Sequence, residues 1–451
     1  FGHRVIAAEG QAMKHAFGLF IVICVLATSA VGRVIKTERV VSIGGIEAWL
    51  IRDHRNPIIS LRFAFRGGAA LDPAGKGGLA SFVSSLLDEG AGDLDSMAFQ
   101  QTLEDKAIRL SFDAEKDTFG GHLQTLTRNR DEAFHLLKLA LIKPRFDIEP
   151  LERIRAQTLV GLKRGKEDPH TVAARALFGG LFPNHPYGRP SDGTEETVTG
   201  LTVKDMRAFI RERFGRNNLI VGVAGDVTPE ILGKLLDETF SELPTKAAPW
   251  KLTDVEPVFS GKTQVINRNV PQSTIIFADA GLKREDPDFY NALVMNHILG
   301  GGSFTSRLYT EVREKRGLAY SIYLSPYPFD ASAVTIGGSG TANGQVAKTL
   351  EVIGNEWERM VEKGVSEMEM IDAKRHLTGA FPLRFSSSGR IARILVGMQL
   401  ANLGINYLEK RNSYIEAVTP KDIRRVAKKL LNNRRLTTVV VGRRAEIQIP
   451  N

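Results

Sequence analysis

Thiols are nearly absent from this sequence: Cys24 is the only cysteine among 451 residues. One thiol excludes an internal disulfide framework and any cysteine-built zinc or iron–sulfur site. Histidine is present but scattered. His3, His15, His54, His122, His135, His170, His185, His297 and His376 include no two that are three or four residues apart. No helix therefore offers two imidazoles on adjacent turns, the usual footing of a catalytic zinc. Long apolar runs are missing too, apart from Phe17 to Leu26 in "MKHAFGLFIVICVLATSA". That run is too short to span a bilayer comfortably; with Lys14 before it and small residues up to Ala30, it predicts a secretory signal over 13–32. Cleavage is expected near Ala30 to Gly32, giving a periplasmic or secreted protein with no stable membrane span. The residues before Met13 are assigned no structural role.

Charge is plentiful. The net formal charge is +9, yet Lys and Arg are spread along the whole chain without a dense run or interleaved aromatics. Nucleic acid is not an expected partner. At 43% hydrophobic residues, the chain is globular and long enough for more than one core.

An internal repeat organises it. "TVKDMRAFIRERFGRNNLIVGVAG" from Thr202 and "TPKDIRRVAKKLLNNRRLTTVVVG" from Thr419 align without a gap. Each predicts a Thr-capped helix, an Asn/Arg turn and a β-branched strand. Pro244, Pro249 and Pro257 break the stretch between the copies. The expected organisation is an N-terminal module over 34–245, a linker over 246–257 and a C-terminal module over 258–451. In "NPIISLRFAFRGG", Ile59, Leu61, Phe63 and Phe65 alternate with Ser60, Arg62, Ala64 and Arg66, a strand covered on one face. Val346, Leu350, Ile353, Trp357, Met360 and Val361 recur at helical spacing, with Trp357 and Met360 read as core. The fold class is α+β: two similar modules in tandem, each an antiparallel-rich sheet with helices on one face.

Three stretches invite a chemical reading. "GKGGLASFVSSLLDEG", Gly75 to Gly90, predicts a glycine turn and a short helix bearing Ser81, Ser84 and Ser85 on one side. Those hydroxyls are too weak to hold a metal, and no Gly-x-Ser-x-Gly elbow makes one a nucleophile. The glycines of "GKGG" and of "ILGGGSFTSRL" lack the residues of a phosphate loop. In "REKRGLAY", Arg313 and Tyr320 stand seven apart around Gly317, a spacing at which their heads can converge across a tight turn. The plainer alternative pairs Arg313 with Glu311 or Glu314 and leaves Tyr320 packing at a strand start.

Four segments together resemble the pitrilysin/insulinase family of zinc metallopeptidases: "GGAALDPAGKGGLASF" from Gly67, "HPYGRP" from His185, "VTGLTVKDM" from Val198, and "LGGGSFTSRLYTEVREKRGLAYSIY" from Leu299. The resemblance covers roughly residues 37 to 445, a metallopeptidase half-shell. It implies that Ser81 and Ser85 stand where the family's inverted zinc motif has histidines, that Ser84 stands where it has glutamate, and that the third ligand falls near Val160 or Gly161. By the same resemblance this chain binds no metal. Arg313 and Tyr320 would be catalytic in trans, Arg fixing a substrate carbonyl and Tyr donating to the developing oxyanion, with Ser303 and Arg307 facing the substrate. The implied function is a metal-free, substrate-binding subunit of an exported endopeptidase, not active alone. Its partner would be a zinc-binding chain of similar length carrying His-x-x-Glu-His, and its substrates peptides. The competing readings are a structural subunit, like respiratory-complex core proteins, and a peptide-holding protein acting alone.

Overall fold

The computed structural model describes residues 36–447, so the expected signal over 13–32 lies outside the described residues. Eleven strands are described: β1 (Glu38–Val41), β2 (Glu47–Arg52), β3 (Ile58–Arg66), β4 (Arg109–Ala114), β5 (Thr118–Leu126), β6 (Leu219–Gly225), β7 (Thr263–Asn267), β8 (Gln272–Ala280), β9 (Ala319–Pro328), β10 (Ala333–Ala342) and β11 (Thr437–Gly442). They form two sheets, ordered β1-β2-β6-β3-β5-β4 and β7-β11-β8-β10-β9. The second repeats the first without β1. Within each, a single parallel pair, β2 with β6 or β7 with β11, sits in an otherwise antiparallel sheet.

The repeat read from the sequence builds the matching centres of the two sheets. Thr202 caps the helix Val203–Arg213 and exchanges hydrogen bonds with Asp205; Thr419 does the same with Asp422 for the helix Pro420–Leu430. Each box satisfies two N-terminal amides that the helix leaves unpaired. The β-branched runs that follow are β6 and β11. Residues 246–257 carry no regular secondary structure.

One expectation needs correcting. Helices do not cover one face only, because each half lends a helix to the other's sheet. The helix Ser388–Leu400 lies across β6 and β3, and the helix Pro169–Leu181 lies across β11 and β8. Consequently β3 is buried on both sides, Ser60 and Ala64 as well as Leu61, Phe63 and Phe65. Gly222 of β6 permits this approach, since a Cβ there would stand 2.7 Å from the Ala392 carbonyl and 2.9 Å from Leu395 Cβ.

Polar anchors fix the two halves. Tyr187, fully buried, donates to Asp117 Oδ1 (2.5 Å) and accepts from the Ala331 amide (2.9 Å), tying the first half to the β9–β10 turn. Tyr187→Phe leaves that carboxylate oxygen and that amide short of a partner, so urea unfolding should show a loss of about 1–3 kcal/mol. In the second half Asp279, with no exposed surface, accepts from Trp357 Nε1 (3.1 Å), the Asn432 amide (2.9 Å), the Ala280 amide (2.8 Å) and Arg435 Nε (2.9 Å). Trp357 and Met360 are core, as their spacing indicated.

Candidate functional site

The serine helix runs from Leu79 to Ser84. Gly78 enters it at φ 90°, and a Cβ there would press on the Asp192 carbonyl at 2.8 Å, so the turn requires glycine. The buried Asp72 carboxylate accepts from the Gly78 amide (2.9 Å) and the Ala80 amide (3.0 Å) at the helix start. Burial pushes Asp72 up to about 7 against the pull of those amides. Lys76 binds the Gly200 carbonyl (2.9 Å) and Asp205 Oδ2 (3.0 Å), so the glycine turn has no free lysine for a phosphate.

Each of the three hydroxyls already has an acceptor. Ser81 Oγ donates to the Ser191 carbonyl (2.8 Å), while Ser84 Oγ (2.8 Å) and Ser85 Oγ (3.1 Å) donate to the Ser81 carbonyl. Serine hydroxyls turned onto backbone carbonyls are poor zinc ligands, and this helix does not fit the metal. On the helix Ile148–Glu167, Val160 is half exposed and a side chain added at Gly161 would meet nothing within 4 Å. Among the described residues, no group of three or more His, Cys, Asp or Glu side chains is placed to hold a metal ion. Metal analysis of the purified chain should find no stoichiometric zinc, and about one tightly held ion per chain would contradict this. Ser81→Ala and Ser84→Ala should each change stability by less than about 1 kcal/mol in urea unfolding.

Arg313 and Tyr320 are brought together. Arg313 sits on a π-helical turn, Tyr309–Glu314, of the kind that often re-aims a side chain. Gly317, at φ 60°, then reverses the chain into β9, the free edge of the second sheet. A β-bulge opposite Ser339 and Thr341 inserts an extra residue near the start of β9. Ala319 and Ile322 consequently both point into the core while Tyr320 and Tyr323 turn outward. The Arg313 guanidinium lies 4.5 Å from the Tyr320 ring centre and 4.9 Å from that of Tyr309, whose hydroxyl it also binds. Tyr320 is 81% exposed. Neither alternative carboxylate pairs with Arg313 among the described residues: Glu311 pairs with Lys315 (2.7 Å) and Arg316 (2.5 Å), and Glu314 forms no ion pair with it. Tyr309 was missed in the sequence, although its position one turn before Arg313 was a usable signal.

The other two positions part company. Ser303 is exposed, at φ 51°, on the loop after the π-helical turn His297–Gly301. Arg307 does not face outward as expected. It is 7% exposed, with Nε on Glu369 Oε1 (2.6 Å) and one terminal nitrogen on Glu369 Oε2 (2.9 Å) and the Gly364 carbonyl (2.7 Å). This fork clamps the start of the helix Glu367–Gly379. Burial alone would raise Glu369, but Arg307 and Ser366 hold it down at about 2. A lowered carboxylate stabilises the fold above its unfolded pKa and loses that contribution as pH falls from about 5 towards 2. Arg307→Ala should therefore cost about 3 kcal/mol at neutral pH and much less at pH 2, in urea unfolding at the two pH values.

The structure therefore holds two α+β halves with matching sheets, a serine-bearing helix whose hydroxyls are turned onto backbone carbonyls, and an exposed Arg313–Tyr320 pair. Residues 200–377 match the family model described as the peptidase M16 inactive domain. The "non-peptidase homolog YmxG" of Helicobacter pylori is 28% identical over 372 residues, covering 82% of this chain and 86% of that protein. A peptidase M16 inactive domain structure from Pseudomonas fluorescens superposes with TM-score 0.86 at 27% identity, over 92% of this chain and 100% of that one. A chain of the complex III dimer of Candida albicans shares the fold, at TM-score 0.74 and 18% identity, over 90% of this chain and 95% of that one. Residues 200–377 are thus similar to the peptidase M16 inactive domain, and most of the chain is similar to proteins described in those terms.

Proposed function

We propose that this chain is the metal-free, substrate-binding subunit of an exported, zinc-dependent two-chain endopeptidase, pairing with a homologous chain that bears His-x-x-Glu-His. The observation that carries the reading is the Arg313–Tyr320 pair: a guanidinium and a phenol stacked at 4.5 Å, with the phenol 81% exposed on a free sheet edge. Residues kept only for packing are normally buried, and an exposed tyrosine beside an arginine is available to a ligand. In this role Arg313 holds a peptide carbonyl, and Tyr320 donates its hydroxyl proton in a hydrogen bond to the same oxygen as negative charge develops. Peptides are the substrate class because β9 is an edge strand of its sheet, the kind of strand to which an extended segment adds. Mixing the chain with such a partner and following cleavage of a quenched peptide tests the reading, with gel filtration reporting assembly.

The rival is a structural subunit of a larger assembly, favoured by the hydrogen bond that already joins Arg313 to Tyr309. Under it, variants at Arg313 and Tyr320 leave every activity of the assembly unchanged.

A further inference from the structure

Far from the serine helix in sequence, a cleft of about 750 Å³ is walled by β3, the β9–β10 turn and the helices Ser388–Leu400 and Tyr407–Glu416. Three arginines share one end of it, and among the described residues none has a carboxylate within ion-pair distance. Arg411 is 6% exposed; it donates to the Leu377 carbonyl (3.1 Å) and Asn412 Oδ1 (3.1 Å), and its guanidinium lies 4.0 Å from the Phe381 ring centre. Arg284 donates to the hydroxyls of Tyr290 (2.9 Å) and Tyr407 (3.3 Å) and stacks 4.0 Å from the Phe289 ring. Arg384 is exposed, on the short turn Phe381–Phe385. Burial pulls Arg411 down, and the charge of Arg384 adds to that. The three acidic groups of the cleft, Asp117, Glu285 and Asp330, do not pair with them: Asp117 accepts from the Tyr187 hydroxyl and the Asp330 amide (3.0 Å), Asp330 faces Arg66 at 3.7 Å, and Glu285 is not within ion-pair distance of the three arginines.

Burying a guanidinium against only neutral partners is costly, and bringing two more cations beside it adds repulsion. Aromatic faces offset part of this, yet each planar fork still has donors suited to a bidentate oxyanion. We propose that this end of the cleft binds an oxyanion, the carboxylate of an acidic peptide residue, with Phe381 and Tyr407 flanking its apolar stem. The peptide as carrier rests on the peptide-binding reading above, whereas the oxyanion site does not.

The experiment uses the full chain and two dye-labelled, end-capped peptides that differ only by one Glu or Gln, with inorganic phosphate as the second probe. Charge-assisted hydrogen bonds discriminate by about tenfold, so the wild type should hold the Glu peptide about tenfold more tightly by fluorescence anisotropy. Arg384→Gln, at an exposed position, should keep the melting temperature and reduce that preference below about twofold; Arg284→Gln checks the same loss from the opposite wall. Phosphate that displaces the Glu peptide at low millimolar, but at equal ionic strength fails to do so in Arg384→Gln, supports the oxyanion site and identifies phosphate as a second source. Equal binding of both peptides to the wild type, a preference that survives both substitutions, or no binding of either probe overturns the proposal. Cleavage by the mixed chains is read separately, so equal binding of both peptides by the wild type alongside normal cleavage refutes the oxyanion site alone.

Discussion

In the proposed two-chain peptidase, Tyr320→Phe should lower kcat about 10²- to 10³-fold and leave assembly unchanged. The substitution keeps the ring that stacks on Arg313 and removes only the hydroxyl, at a residue 81% exposed, so the fold has little to lose. A preorganised donor to a developing oxyanion acts in the transition state and not in the ground state, which places its loss in kcat with KM nearly unmoved. Arg313→Lys separates the roles further. A lysine ammonium cannot reproduce the planar fork or its stacking between Tyr309 and Tyr320, so KM should rise together with a fall in kcat. Steady-state cleavage of a quenched peptide reads both constants. Near wild-type turnover for both variants would leave the structural-subunit reading ahead.

The largest effect on stability is expected at Asp279. Its carboxylate gathers Trp357 from the helix Val346–Lys363, Asn432 and Arg435 from the turn before β11, and the amide of Ala280 at the end of its own strand. Asp279→Ala would leave three neutral donors without this acceptor and the half-buried Arg435 guanidinium with the Leu430 carbonyl (2.7 Å) but no counter-charge. Removing one partner from a buried charge pair typically costs about 3–5 kcal/mol, and urea unfolding of the variant should show a loss of that size. Asp279→Asn keeps the shape and one acceptor oxygen, so it should lose less. A change below about 1 kcal/mol for the alanine variant would mean that the neighbouring helix and turn hold together without this anchor.

Much of the framework was written locally and was therefore legible. The Thr caps at Thr202 and Thr419, each with an Asp three residues on, and the β-branched runs behind them specify helix and strand within a single short window. Arg313 and Tyr320 were also legible as a pair, because only one tight turn at Gly317 separates them. The exchange of helices between the halves was not. It depends on packing between β6 and a helix about 170 residues later, and its one local trace was Gly222, where the chain needs to be thin. Arg307 was misplaced for the same reason: its carboxylate, Glu369, lies 62 residues away. Arg284 lies about a hundred residues before the other two arginines of the cleft, and Arg384 and Arg411 sit on separate helical segments, so no spacing rule gathers them.

The most direct test of complementation compares three samples in one peptidase assay: this chain alone, a zinc-loaded homologous chain bearing His-x-x-Glu-His alone, and the two mixed at equal concentration. The account predicts negligible turnover from either chain alone and robust turnover from the mixture, lost again when the mixture contains Tyr320→Phe. Full activity from the zinc-bearing chain alone, unchanged by adding this one, would contradict it.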